Sequence, residues 1–230
     1  MIKILILLFL FCPVFAQQQT RASHEDVVGC WHFNEGTGSV AFDSSLYQSH
    51  GVITQAAWTD GKFSRGLSFD GASDVVDCAT LDEIAHSSGA VSVWTYVTGP
   101  QGAGYKGLVT RVGMYSIFTN GNLLGWYDWG GTGANFGTTS PNVNKWNFFV
   151  LNWANAIPNG TELYLNGVLI HTGEVNIVNA LNEQAIGSGD APANGQDWLG
   201  IIDDVTIYSR NLSDSEMKNL YREGRLIHGN

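Results

Sequence analysis

Short runs of alternating apolar and polar residues, separated by turn-forming pairs, recur along most of this chain. The clearest runs lie at 91–97 and 145–150, and pairs rich in Gly, Asn and Asp fall between the runs at 60–61, 70–71 and 120–121. Many short strands at this spacing are typical of a sandwich or barrel and not of alternating strands and helices. The pattern therefore predicts one all-β domain.

The pair Asn166-Gly167 gives the strongest hairpin signal. It separates the apolar runs 163–165 and 168–170. Asn followed by Gly accepts the positive φ angles that a type I′ turn requires at both central positions. A two-residue hairpin is predicted there.

A strand followed by a short helix is predicted near the C-terminus. Ile201, Val205 and Ile207 are β-branched residues that suit a buried strand. Ser213 and Glu216 have the spacing of a capping box, in which each side chain bonds the other residue's backbone N–H.

The helix that this capping box begins is predicted to be amphipathic. Met217, Leu220 and Tyr221 fall at i, i+3 and i+4, so one face is apolar and must pack on another part of the domain. Gly224 is placed to end the helix.

The closing segment 202–217, IDDVTIYSRNLSDSEM, resembles the last strand and helix of the concanavalin A-like, laminin-G-like jelly-roll domains. The segments WHFNEGTG at 31–38, GLSFDG at 66–71 and LYLNGVL at 163–169 are similar to earlier strands of that family, in the same order. The resemblance implies a two-sheet antiparallel jelly-roll sandwich with a short C-terminal helix, over residues 27–230.

The first sixteen residues have the features of a secretory signal peptide. They contain one Lys and an apolar run, and the small residues Val14 and Ala16 precede the predicted cleavage before Gln17. The apolar run is shorter than the about 20 residues that span a bilayer. The sequence therefore predicts a signal peptide at 1–16, a flexible leader at 17–26, no membrane span, and a secreted protein (periplasmic in a bacterium).

Charge and cysteine content narrow the possible partners. The formal net charge of −10 argues against nucleic acid and anionic membranes. Cys12 leaves with the signal peptide, so Cys30 and Cys78 remain as an even pair in an exported protein. A disulfide between them is predicted, and the loop that it closes would contribute about 4 kcal/mol.

A structural calcium ion is implied by the resemblance, because many relatives hold one. The matching positions are Asp43 and Asp203, with Glu35 as a weaker third ligand. The alternative is that Asp43 caps an Asx turn with Ser44 and Ser45, while the Asp203 carboxylate accepts a hydrogen bond from a loop amide.

Aromatic residues beside glycine-rich segments are the candidate binding residues. Trp and Tyr rings stack on the apolar faces of sugars, and a carboxylate accepts hydrogen bonds from hydroxyl groups. The residues predicted to bind a glycan on this basis are Trp126, Tyr127, Asp128, Trp129, Tyr105 and Trp198. Because strand side chains alternate, either Trp126 or Tyr127 must face the core.

Catalytic motifs are absent from the sequence. Glycanases of this fold use two carboxylates two residues apart on a strand, and only Asp214 and Glu216 have that spacing, at the predicted start of the helix. The prediction is a non-catalytic carbohydrate- or glycoprotein-binding module.

Two alternatives to that prediction remain. One is a module that binds an extracellular protein through a flat apolar or charged patch. The other is a polysaccharide lyase or glycosidase with an unfamiliar site. The lyase would require residues such as Arg111, Tyr115, Gln184 and His171 to converge on the concave sheet.

Overall fold

The computed structural model describes residues 24–78, 87–131, 133–178, 184–189 and 195–224. The strands are β1 Val27–Trp31, β2 Val40–Ala41, β3 Gly51–Thr54, β4 Ala57–Asp60, β5 Arg65–Asp70, β6 Val75–Cys78, β7 Ser88–Val97, β8 Tyr105–Arg111, β9 Tyr115–Asn120, β10 Leu123–Asp128, β11 Gly133–Phe136, β12 Trp146–Ala154, β13 Thr161–Leu165, β14 Val168–Gly173, β15 Gln184–Ile186 and β16 Leu199–Tyr208. Helix α1 spans Asp214–Glu223, and a 3-10 turn at His24–Asp26 precedes β1.

The strands form two antiparallel sheets. Sheet A has the order β14-β13-β12-β7-β16-β5-β4, with β1 paired to β16, and sheet B has the order β11-β10-β9-β8-β15-β6-β3-β2. This arrangement confirms the predicted jelly-roll sandwich with its C-terminal helix. The hairpin at 166–167 is confirmed as well, because it joins β13 to β14 and both of its residues have positive φ angles.

The main core fills the space between the two sheets. Sheet A contributes Phe149 and Trp153, and sheet B contributes Ile117 and Trp126, all of them buried. Strands β7 and β16 lie at the centre of sheet A and pair with each other along most of their length.

A second apolar layer lies on the outer face of sheet A, under α1. Met217 and Leu220 are buried there with Trp94 and Phe148 of the sheet. The Tyr221 ring stacks on the Trp94 ring at 5.8 Å between centroids, as the predicted apolar face requires.

Both ends of α1 match the sequence prediction. The capping box between Ser213 and Glu216 is formed. At the other end Gly224 has a φ of 90° and donates its N–H to the Leu220 carbonyl at 2.8 Å. The Trp94 indole N–H then donates to the Gly224 carbonyl at 2.6 Å, which ties the end of the helix to sheet A.

The N-terminal segment is tested only in part. The predicted signal peptide and residues 17–23 of the leader lie outside the described residues. The last three residues of the predicted leader form the 3-10 turn. Within it the Asp26 carbonyl accepts the Ser209 N–H at 2.9 Å and the Asp26 carboxylate pairs with Arg210 at 3.0 Å.

The predicted disulfide is wrong, because the sulfurs of Cys30 and Cys78 are not bonded to each other. Cys30 lies in the layer between sheet A and α1, whereas Cys78 lies in the core between the sheets. Alternation along the strands directs the two side chains into different layers, although both are buried. Burial raises the pKa of the Cys78 thiol well above its ordinary value.

A polar chain of three side chains runs through the layer next to α1. The Cys30 Sγ lies 3.5 Å from Nε2 of His32, and Nδ1 of the same ring is hydrogen-bonded to the Asp204 carboxylate. Burial opposes the charge on His32, but the bond to Asp204 and the contact with Cys30 outweigh it and raise the pKa of His32 to about 10.

This raised pKa predicts a loss of stability in alkaline solution. The ordinary pKa of His32 is 6.5, so its stabilising contribution is fully present below pH 6.5 and is lost as pH rises toward 10. We expect the difference in free energy of unfolding between wild type and His32→Gln, measured by urea titration, to shrink over that range. Parallel pH profiles for the two proteins would contradict the prediction.

Candidate functional site

An aromatic cluster covers the outer face of sheet B where β8, β9, β10 and β11 lie side by side. It consists of Tyr105, Phe118, Tyr127, Trp129 and Phe136. Strand alternation places these rings outside: the neighbouring side chains of Ile117 and Trp126 point into the core. The cluster therefore lies on the face opposite to the main core.

The rings of the aromatic cluster touch one another in a continuous series. The Tyr105 ring stacks on Phe136 at 5.8 Å between centroids and meets Tyr127 edge-on at 6.0 Å and Phe118 edge-on at 6.2 Å. The Tyr127 ring in turn lies 5.2 Å from the Trp129 ring. Offset and edge-to-face contacts of this kind are favourable and hold each ring in place.

A pocket of about 200 Å³ opens within this cluster. It is lined by Tyr105, Phe118, Tyr127, Trp129, Gly189 and Gln196. The volume is below the about 300–1,000 Å³ of pockets that hold drug-sized ligands, so the described residues enclose a site for a small group.

Two glycines create the space for the pocket and its rings. A Cβ atom on Gly189 would lie 2.3 Å from Cε1 of Phe118, inside van der Waals contact. A Cβ atom on Gly125 of β10 would lie 2.6 Å from Cδ1 of Phe136. The close approach of ring and backbone therefore requires glycine at both positions.

The polar side of the pocket is fixed by backbone hydrogen bonds. The Gln196 carbonyl accepts the N–H groups of Gly107 and Gly189, both at 2.9 Å. The Lys106 ammonium donates to the Gly195 carbonyl at 2.6 Å. The segment that carries Gln196 is thereby held against β8, beside Tyr105.

Three of the six predicted glycan-binding residues, Tyr105, Tyr127 and Trp129, line this pocket together. They come from two strands and the turn after β10. Sequence reasoning missed Phe118, Phe136, Gly189 and Gln196. Alternation could have found Phe118, since it follows the inward-facing Ile117 by one residue.

The other three predicted residues lie in the interior and cannot contact a ligand at this surface. Trp126 and Trp198 are fully buried, and the Trp198 indole N–H donates to Thr95 Oγ1 at 3.0 Å. The Asp128 carboxylate is buried and accepts two hydrogen bonds from Asn176, from its backbone N–H at 2.7 Å and from its side-chain amide at 3.0 Å. These residues hold the fold in place beneath the pocket.

The residues considered for a lyase do not form an accessible site. Arg111, Tyr115 and Gln184 are buried in the core, where the Tyr115 hydroxyl is hydrogen-bonded to the Gln184 side chain. Burial raises the pKa of Tyr115. The His171 ring packs on Trp126 at 4.8 Å between centroids. Because the first three face the interior, a polysaccharide at the surface cannot reach them.

The carboxylates predicted to bind calcium have separate partners. Asp43 accepts the N–H groups of Cys30 at 2.7 Å, Ser45 at 2.8 Å and Ser49 at 2.9 Å, and also the Ser45 hydroxyl at 2.7 Å. This is the Asx-turn alternative, and it occupies both carboxylate oxygens.

Asp203 and Glu35 serve other loops. Oδ2 of Asp203 accepts the N–H groups of Lys62 at 2.7 Å and Phe63 at 3.1 Å, and Oε1 of Glu35 accepts that of Phe42 at 2.7 Å. Burial, and then the nearby Asp204 charge, raise the pKa of Asp203 to about 7. Within the described ranges no group of three or more His, Cys, Asp or Glu side chains could hold a metal ion. The residues present therefore do not fit the implied calcium site.

This arrangement predicts that Asp43 stabilises the fold without calcium. Asp43→Asn should lower the free energy of unfolding by about 1–3 kcal/mol, because it weakens the acceptor for buried donors. The loss should be equal in EDTA and in millimolar calcium, and thermal unfolding of both proteins in the two buffers tests this. A rise in Tm on addition of calcium that Asp43→Asn abolishes would contradict this prediction and support a calcium ion bound by Asp43.

The structure superposes on several solved structures at low sequence identity. The binding domain of Paraclostridial Mosquitocidal Protein 1 superposes with a TM-score of 0.69 and 17% identity, covering 87% of this chain and 53% of that one. Domain 4 of an extracellular arabinanase from Geobacillus stearothermophilus, in complex with arabinotriose, superposes with a TM-score of 0.65 and 18% identity. The match covers 85% of this chain and 98% of that one. Trypanosoma rangeli sialidase in complex with sialic acid superposes with a TM-score of 0.66 and 17% identity. The match covers 86% of this chain and 33% of that one.

These similarities concern the fold alone. The chain spans about half the length of the toxin binding domains that it matches. No curated protein matches it by sequence. Among the described residues, no helix is long and apolar enough to cross a membrane.

A family profile connects these observations to the sequence. The profile of the Concanavalin A-like lectin/glucanases superfamily, in its laminin-G-like form, matches residues 70–218, a range that runs from the end of β5 into α1. The chain therefore belongs to the concanavalin A-like lectin/glucanases superfamily.

Proposed function

We propose that this protein is a non-catalytic carbohydrate-binding module and that the pocket in the aromatic cluster is its binding site. The observation that carries the proposal is the convergence of Tyr105, Tyr127 and Trp129, all partly exposed, around one pocket with a side-chain amide at its edge. Sugar rings present apolar C–H faces to aromatic rings and hydroxyl groups to amides, so this combination suits a saccharide.

The relatives support the same class of ligand. Domain 4 of the arabinanase has a structure with arabinotriose, and the sialidase has one with sialic acid. Both share this fold with the present chain, although a shared fold does not by itself carry a function across. The support from the relatives is therefore secondary to the pocket.

The proposal of a non-catalytic role rests on the positions of the acidic side chains. Asp214 and Glu216, the pair with glycanase spacing, begin α1, where Glu216 bonds the Ser213 backbone at 2.8 Å and pairs with Arg210 at 2.7 Å. Among the residues described as lining the pocket, none carries a carboxylate. General acid catalysis of glycoside cleavage needs such a group beside the scissile bond.

A protein-binding role is the second candidate, and one surface favours it. Val40 and Val52 are cross-strand partners on β2 and β3, and with Phe42 they expose apolar side chains at the far edge of sheet B from the aromatic cluster. Such a patch is typical of a protein contact. It lies apart from the pocket, so mutations separate the two roles.

Substituting the pocket rings tests the carbohydrate proposal. Tyr127→Ala and Trp129→Ala should each weaken binding of a glycan identified on an array by about tenfold, because each removes a stacking surface worth about 0.5–1.5 kcal/mol beyond its buried area. Isothermal titration calorimetry measures the change. Tyr47→Ala is the matched control, since Tyr47 is 41% exposed and lies outside the pocket.

Three outcomes would distinguish the candidates. Equal affinities for Tyr127→Ala, Trp129→Ala and the control would exclude this pocket as the site. Absence of any glycan ligand would exclude the carbohydrate function. Loss of a protein partner on Phe42→Ser, with the pocket variants unaffected, would favour the second candidate.

Export is the remaining part of the proposal, and it rests on the predicted signal peptide. Expression of the full chain in a secreting host should release a protein that begins at Gln17, as N-terminal sequencing would detect. Leu7→Arg combined with Leu8→Arg interrupts the apolar run and should retain the protein in the cell with residues 1–16 attached. Release of the uncut double variant would contradict the prediction.

A further inference from the structure

We infer that the pocket in the aromatic cluster selects neutral sugars over acidic ones. The inference rests on the proposed function and concerns the chemical class of the ligand at the same site. The inference is argued from the charged groups near the pocket, whereas the proposed function is argued from its aromatic rings.

The described lining of the pocket offers no cation to a carboxylate. Its side chains are four aromatic rings and the Gln196 amide, and Gly189 contributes backbone. The backbone N–H of Gly189, and that of Gly107 beside the pocket, are already bonded to the Gln196 carbonyl. An anionic sugar would thus lose part of its hydration in the pocket without a charged partner, which costs free energy.

The neighbouring cation has another partner. Lys106 follows Tyr105 in β8, and its ammonium donates to the Gly195 carbonyl at 2.6 Å. This hydrogen bond holds the ammonium against the segment carrying Gln196, and Lys106 is not among the side chains described as lining the pocket. Lys106 therefore helps to hold the segment that carries Gln196 in place.

Two buried acidic residues are adjacent in the chain to residues that line the pocket. Asp128 stands between Tyr127 and Trp129 in the sequence, and Asp197 follows Gln196; both are buried. Asp197 is held by the Ser188 hydroxyl at 3.1 Å and by the Ser73 N–H at 3.0 Å. Neither residue offers a cation to an acidic ligand, and carboxylates near a partly desolvated surface disfavour an anion more than a neutral molecule.

The charge of the whole chain acts in the same direction. The sequence has 21 acidic and 11 basic side chains, which give a net charge of −10. An anionic ligand approaches against this field, whereas a neutral one does not.

A neutral sugar matches the groups that the described residues offer in the pocket. Its C–H faces can stack on Tyr127 and Trp129. Its hydroxyl groups are donors and acceptors at once, and the Gln196 amide also offers both functions. A neutral sugar brings no charged group that would need a partner in the pocket.

The experiment compares matched ligands that differ in one charge. A glycan array with neutral, uronic-acid and sialic-acid oligosaccharides identifies the ligands, and the primary alcohol of the best neutral one is then oxidised to the carboxylate. By calorimetry at low salt, the oxidised ligand should bind at least about tenfold more weakly than its neutral parent. The difference should shrink at 1 M salt, where the Debye length falls to about 3 Å.

Variants at Gln196 sharpen the test. Gln196→Arg places a cation at the pocket and should narrow the difference between the two ligands, while Gln196→Glu should widen it. Equal or tighter binding of acidic ligands by the wild type would overturn the inference and leave the carbohydrate function intact. Failure of both ligand classes to bind would remove the carbohydrate function itself. The wild-type comparison and its salt dependence stand even if a variant does not fold.

Discussion

The alternation of side chains along the strands of the two sheets is the constraint on which this structure depends. Sheet A is apolar on both faces around β7, so its outer face must be covered, and α1 covers it through Met217, Leu220 and the contact with Trp94. The outer face of sheet B has no such helix within the described residues. Its aromatic side chains around Tyr105 and Tyr127 therefore stay partly exposed, and that is where the pocket forms.

The features that the sequence predicts well are those set by neighbouring residues. The capping box of α1, the glycine that ends it and the hairpin at 166–167 each depend on a few adjacent positions, and all three are formed. The pocket is different in kind. Gln196 lies about seventy positions from Tyr127 in the chain, and only the pairing of β15 with β8 and the bonds from Gly107 and Gly189 bring the two together.

The wrong predictions share one cause. Each was made from the type of residue, which does not reveal the layer of the sandwich that its side chain faces. Cys30 and Cys78 suggest a disulfide by number, yet one thiol faces α1 and the other faces the main core. Asp128 lies in an aromatic segment, but it has the same inward orientation as Trp126 and bonds Asn176.

The position of β16 has a consequence for how the chain folds during synthesis. This strand, at residues 199–208, lies between β7 and β5 at the centre of sheet A and also pairs with β1 near the N-terminus. Strand β1 is synthesised long before β16, and the pairing of the two closes a long loop, which is slow to form. Sheet A therefore cannot be completed before β16 has been synthesised, and until then β5 and β7 lack the strand that lies between them.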